Sequence, residues 1–135
     1  DEVRPDVVLT FGPDGQTFHP DHIAVSRWTT HAVRMADADP DLLYAVMTPE
    51  WVEAFAELVP MDQVMMTDDP PPSVPASELA LWFWCDDVLA ARKVAALRCQ
   101  ASQVEPLVAM GGLDAYTLLT RDEFYRRATA SDWSG

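Results

Sequence analysis

The chain has three histidines in 135 residues, and two of them fall in one tetrad, His19-Pro20-Asp21-His22. Imidazole is a metal ligand and a proton carrier near neutral pH. The tetrad follows an apolar run and opens a helical pattern, the place where open α/β sheets put ligands. A helix start carries partial positive charge and suits a neutral ring, which is the form that binds a metal. His22 is therefore a candidate metal ligand. Asp21 lies beside both rings and can hold one in a fixed tautomer. The same pair can instead cap the helix and face solvent, and spacing alone leaves both readings open. A catalytic zinc needs three protein ligands. The other carboxylates have no metal-site spacing to the pair, so the site is incomplete on these residues.

The elements around the tetrad follow from pattern. Pro5 to Phe11 is an apolar, β-branched run that ends at Gly12-Pro13-Asp14-Gly15, a dense turn cluster. This predicts a strand covered on both faces. Pro20 suits the first helical position and Asp21 the positive helix start. Val25, Trp28, Ala32 and Met35 then form one apolar stripe, and the helix is expected to end near Asp37 to Pro40. Leu42 to Met47 reads as a second buried strand. Pro49-Glu50 opens a helix with Trp51, Phe55 and Leu58 on one side. Asp68 to Pro75 is a proline-rich loop, and Leu79 to Cys85 a third strand. Asp86 or Asp87 caps a long helix to about Gln103, with Val88, Ala91, Ala95 and Cys99 at core spacing. Gly111-Gly112 is a break, and Arg121 to Ala128 a short helix or strand.

Alternating strands and helices predict an α/β fold: a Rossmann-like, mostly parallel sheet with flanking helices. Three strands are few for a sheet of that kind. Asp1-Glu2-Val3-Arg4-Pro5 reads like the last turn of a helix feeding a strand. Residues 1–135 are thus expected to form a single domain or part-domain, with further strands elsewhere.

Composition narrows the function. Apolar residues make up 49% and charged residues 23%, ordinary values for a globular chain. With 22 acidic against 9 basic residues the net charge is -13, which argues against nucleic acid and anionic membrane surfaces as partners. No apolar run approaches the ~20 residues of a membrane span. Cys85 and Cys99 fit no zinc ribbon or redox pair and read as free buried thiols in a reducing, cytoplasmic compartment. The tryptophans and methionines read as core. His31 and Asp68-Asp69 read as surface, and Arg92-Lys93 as an exposed pair able to contact a substrate at the sheet edge.

The segment from Arg4 to Gly15, followed by His19-Pro20-Asp21-His22-Ile23-Ala24-Val25-Ser26, resembles the second signature of the PIG-L (LmbE-like) zinc-dependent N-deacetylases. Arg92-Lys93-Val94-Ala95-Ala96-Leu97 and Ala101-Ser102-Gln103 are similar to the late helix of that family. Its members remove acetyl groups from N-acetylglucosamine-type substrates, among them intermediates of mycothiol, bacillithiol and glycosylphosphatidylinositol synthesis. The resemblance implies Zn2+ as cofactor and His22 as a zinc ligand. It implies that His19 stabilises the oxyanion or protonates the leaving amine, with Asp21 as its orienting carboxylate. The chemistry implied is metal-assisted amide hydrolysis.

Three departures shape the expectation. The family's early His-Pro-Asp-Asp-Glu motif, source of the other zinc ligands and the general base, is absent. A tyrosine that several members carry two residues before the first histidine is Thr17 here. A histidine three residues before the late glutamine is Gln100. The chain is therefore expected to be the carboxyl-terminal portion of a larger deacetylase domain, inactive alone. It would act with the missing amino-terminal half or a swapped, homo-oligomeric partner on a small N-acetylated sugar or conjugate. The alternative is a degenerate α/β homologue that acts as a binding or assembly module.

Overall fold

A computed structural model describes residues 3–133; Asp1, Glu2, Ser134, Gly135 and the Trp133 side chain lie outside the described set. The strands are β1 (Val7–Phe11), β2 (Asp41–Val46), β3 (Leu81–Trp84) and β4 (Asp122–Arg127). The helices are α1 (Gly15–Phe18), α2 (Pro20–Met35), α3 (Pro49–Leu58), α4 (Asp87–Leu97) and α5 (Ala101–Leu119). Val3 to Pro5, the part of the expected helical turn that is described, is non-helical.

The fold is α/β, with one mixed sheet in the order β1-β2-β4-β3 and helices packed around it. β1 and β2 are parallel, with Val7 beside Asp41 and Phe11 beside Ala45. β4 enters antiparallel to both neighbours, placing Val46 beside Phe124 and Trp82 beside Phe124 from the other side. Three strands therefore run one way and β4 runs against them. The segment left open as helix or strand is β4, and it joins β3 to the rest. Its apolar and β-branched content is low, so only pairing from both sides commits it to a strand.

Strand and helix caps follow local chemistry. Thr48 Oγ1 accepts from the Trp51 amide at 3.2 Å, and Asp86 Oδ1 from the Leu89 amide at 2.8 Å. The long helix expected from Asp86 to Gln103 is divided between α4 and α5 at residues 98–100. Gly112 interrupts α5 at φ 84° and ψ 163°, a backbone open essentially to glycine alone. The break expected at Gly111-Gly112 is there.

Two of the predicted apolar stripes point outward. On α2 the buried residues are Ser26 and Thr30, whereas Trp28 is 71% and Met35 73% exposed. Polar contacts dock this helix: the Thr30 and Tyr44 hydroxyls share a 2.7 Å hydrogen bond, and Thr10 Oγ1 meets Thr29 Oγ1 at 3.4 Å. On α4 the buried residues are Ala90 and Val94, while Val88, Ala91, Ala95 and Cys99 are exposed. On α3 the expected side does pack: Phe55 is buried with Val59 and Leu119, and Trp51 and Leu58 rest on them. A second cluster joins Val94, Val104 and Tyr116. The two apolar clusters thus flank α5, while α2 docks on the buried Tyr44 through hydroxyls.

Other expectations about burial change too. β1 is not covered on both faces, since Val7 and Leu9 are about half exposed. Cys85 is buried, but Cys99 is exposed. Trp82 and Trp84 of the edge strand are exposed, and so are Trp28 and Met35 of α2 and Met66 in the loop after α3. His31, Asp68 and Asp69 lie at the surface as expected. Lys93 does not: its ammonium reaches Glu123 and the Thr120 carbonyl, both at 2.5 Å.

Candidate functional site

The site grows from the turn after β1. The Gly15 amide donates to the Gly12 carbonyl at 2.9 Å, and Asp14 Oδ1 accepts from the Gln16 amide at 2.7 Å. The chain then turns through left-handed backbone at Gly15 (φ 65°), Gln16 (φ 67°) and Phe18 (φ 58°). Non-glycine residues resist that region, each at a cost of order 1 kcal/mol, and such strain gathers at functional loops. The Met66 amide donates to the Thr17 carbonyl at 3.0 Å and ties the turn to the loop after α3.

His19 is the N-cap of α2, with Pro20 in its first turn. His19 Nδ1 accepts from the Asp21 backbone N–H at 3.1 Å. Because that nitrogen accepts, the neutral ring carries its proton on Nε2. Asp21 thus reaches His19 through its amide, and its carboxylate makes no hydrogen bond among the described residues. His22, one turn on, has Nδ1 at 3.0 Å from the Gly15 carbonyl. A carbonyl only accepts, so Nδ1 carries the hydrogen, and in the neutral ring Nε2 keeps a free lone pair. This is the tautomer a ligating histidine needs, with a backbone carbonyl fixing the ring.

Aromatic contacts fix the His22 plane. It lies flat on Phe11, with centroids 4.0 Å apart and an angle of 3°, and it stacks on His19 at 4.7 Å. Both histidines are half-buried. The tetrad therefore brings its two rings together, one as a cap and the other as a pre-set donor. Gly15 is the residue that pattern reading left as a mere turn former. A Cβ there would meet Ile23 Cγ1 at 2.8 Å and His22 Cβ at 3.1 Å. The signal was faint: a glycine closing a turn cluster permits left-handed backbone but does not by itself reveal that the position requires it.

A cavity of about 470 Å³ opens beside Phe11 and Gln16 and reaches Glu123 and Tyr125. In it, Tyr125 Oη donates to Glu123 Oε2 at 2.7 Å while Lys93 holds Oε1. Burial pushes the Tyr125 phenol far up, and its bond to Glu123 adds to the rise. Burial alone would raise Glu123, but hydrogen bonds from Lys93 and Tyr125 outweigh it and leave this carboxyl below its usual range. This trio was not singled out by sequence pattern, because its members sit on two separate elements.

On the α2 side of the sheet, Arg126 pairs with Asp132 through two 2.8 Å bonds and lies 5.1 Å over the Tyr44 ring. No group of three or more His, Cys, Asp or Glu that could hold a metal occurs among the described residues. No helix among them is long and apolar enough to cross a membrane.

No protein-family model matches the chain. Curated proteins do. One is the 1D-myo-inositol 2-acetamido-2-deoxy-alpha-D-glucopyranoside deacetylase of Saccharomonospora viridis, 34% identical over 110 residues, which cover 77% of this chain and 40% of that protein. The protein of the same name from Mycobacterium sp. (strain JLS) is 36% identical over 77% of this chain and 35% of its own length. That from Tsukamurella paurometabola is 38% identical over 76% of this chain and 39% of its own length. The chain thus spans well under half the length of these relatives. Each is named as a deacetylase, which is an amide hydrolase.

Proposed function

We propose that this chain is part of a PIG-L/LmbE-type deacetylase that releases acetate from an N-acetylated sugar or sugar conjugate. The observation that carries the reading is the 3.0 Å contact between His22 Nδ1 and the Gly15 carbonyl. It leaves Nε2 of the neutral ring as a donor, in a stretch similar to named sugar-amide deacetylases. The donor chemistry fits Zn2+ as one ligand of three. No group of three ligating side chains occurs among the described residues, so in this reading the other ligands come from elsewhere in a longer polypeptide or from a partner chain. Bare apolar surface at Leu9 (50% exposed) and Trp28 (71%) supports a larger assembly.

Zinc, when bound, lowers the pKa of its water to about 7 and polarises the acetyl carbonyl. The residues of this chain do the rest of what it contributes. Gly15 and Phe11 hold the His22 plane. The Asp21 amide selects the His19 tautomer with Nε2–H, which makes His19 a hydrogen-bond donor to a developing oxyanion. Between the two roles implied for His19, oxyanion donor and leaving-group acid, the geometry favours the first. The Asp21 side chain then acts at the helix start rather than as an orienting carboxylate for His19.

The test is His22→Ala in the full-length protein, read by metal content and by acetate release from an N-acetylated sugar. Loss of bound zinc together with loss of turnover is expected; zinc and turnover both retained would refute the reading. Titration of residues 1–135 alone with zinc is expected to show weak binding and no turnover.

A further inference from the structure

We infer that Gln16, Glu123 and Tyr125 form a hydroxyl-reading pocket, which holds the sugar ring whose amide is presented to His22. The inference rests on the deacetylase reading and names, within it, the residues that select a polyhydroxylated substrate. All three line the cavity of about 470 Å³ beside Phe11, a volume in the usual range for a small-molecule site.

Strand register joins this pocket to the histidines. Phe11 pairs with Ala45 and Ala45 with Tyr125, so the three side chains form one row on one face of the sheet. Glu123, two residues from Tyr125 along β4, stands on the same face. Phe11 carries the His22 ring, and Tyr125 stands about 10 Å from it, two strand spacings away. Between them Ala45 has only a methyl group, which leaves a trough. Val25, on the same helix as His22, lines the adjoining hollow together with Phe11, Ala45 and Tyr125.

The polar groups have hydrogen-bonding capacity to spare. Tyr125 Oη donates its hydrogen to Glu123 Oε2 at 2.7 Å, which leaves the phenol oxygen able to accept. Lys93 Nζ binds Glu123 Oε1 and the Thr120 carbonyl, so the carboxylate is fixed in place and its charge is already matched. It has little to offer a second cation. A carboxylate has about four acceptor positions, however, and the ones left over suit O–H donors. The same bonds keep Glu123 ionised, and hence an acceptor only. Gln16 supplies what the carboxylate lacks. Its side-chain amide both donates and accepts, and it makes no hydrogen bond among the described residues. It stands on left-handed backbone at φ 67°, a conformation that the turn imposes without using that side chain. A sugar hydroxyl likewise donates and accepts. A ring bearing several of them satisfies these groups, whereas an acyl chain or an aromatic group would take them out of water with nothing in return.

The experiment measures binding of N-acetylglucosamine, and of a set of its monodeoxy analogues that each lack one hydroxyl, to the full-length protein. Affinity is read by calorimetry after removal of metal with a chelator, so that no turnover intervenes. The constants kcat and KM are read on the metal-loaded protein. At least one analogue is expected to bind about tenfold or more weakly than the parent, the scale of one hydrogen bond to a charged group. Tyr125→Phe removes the phenol oxygen, and Gln16→Gly removes the amide while relieving the left-handed backbone. In Gln16→Gly the melting temperature is expected to hold or rise while sugar affinity falls, a combination that a merely structural role would not give. In either variant KM is expected to rise more than kcat falls, and discrimination against a monodeoxy analogue to shrink toward one. Equal binding of the parent and every analogue, no sugar binding at all, or discrimination that survives both substitutions would overturn the inference. Absence of turnover with the parent sugar would instead count against the deacetylase reading, while the affinities still decide the pocket.

Discussion

His22 and Gly15, seven residues apart, are joined by a 3.0 Å hydrogen bond from the imidazole to the glycine carbonyl. The glycine sets the ring twice, by accepting its proton and by leaving no Cβ in its path. Gly15→Ala combines strained left-handed backbone with an overlap at Ile23. It is expected to destabilise the protein by about 1–3 kcal/mol and to weaken metal binding at the same time. Thermal unfolding and a zinc titration of the full-length variant measure the two effects separately.

The Thr30–Tyr44 bond is the polar key of α2. Tyr44 is fully buried, so Tyr44→Phe strands the Thr30 hydroxyl and is expected to cost about 1–2 kcal/mol. Adding Thr30→Val removes the stranded group. The double variant is expected to be more stable than the sum of the single losses, and a urea double-mutant cycle reads the difference.

Asp132 gives a pH signature. Two bonds from Arg126, opposed by burial and reinforced by the Thr129 amide and hydroxyl, hold its carboxyl down at about 2. A depressed folded-state value contributes stability above the ordinary carboxylate range. That contribution, about 2 kcal/mol, is lost as pH falls from near 4 toward 2. Asp132→Asn is expected to lower stability at pH 7 and to flatten this acid limb, as followed by circular dichroism against pH.

Lys93 and Glu123 make a second acid-sensitive pair, because the Glu123 carboxyl is also held low in the fold. Lys93→Met keeps the apolar stem and removes the donor. Its expected result is a lower melting temperature at neutral pH and a smaller deficit at acid pH, as Glu123 takes up its proton. Equal deficits at the two pH values would show that the lysine acts by packing alone.

Strand positions and the tetrad were legible because their signals are local. Apolar runs at Val7–Phe11, Asp41–Val46 and Leu81–Trp84 sit between turn residues, and Pro20 marks a helix start by chemistry of its own. What sequence could not reveal is which way an amphipathic helix faces. Val25, Trp28 and Met35 have the spacing of a buried stripe, but hydroxyl pairing with Tyr44 and Thr10 turns α2 the other way. The same applies to Val88 on α4, which is 73% exposed. Spacing records that a face is apolar and says nothing about what covers it. The Tyr125–Glu123–Lys93 trio was hidden for another reason: it forms only when β4 slides between β2 and β3.

That insertion governs how the sheet assembles. Leu43 on β2 waits for Arg127 on β4, and β3 hydrogen-bonds to the remaining strands through β4 alone. The two halves of the sheet are thus stitched by a segment made after both. Loop-closure entropy must be met before these distant pairings return anything, which slows folding. During synthesis the edges of β2 and β3 stand open to other chains, so nascent copies at high expression are at risk of mispairing until β4 arrives.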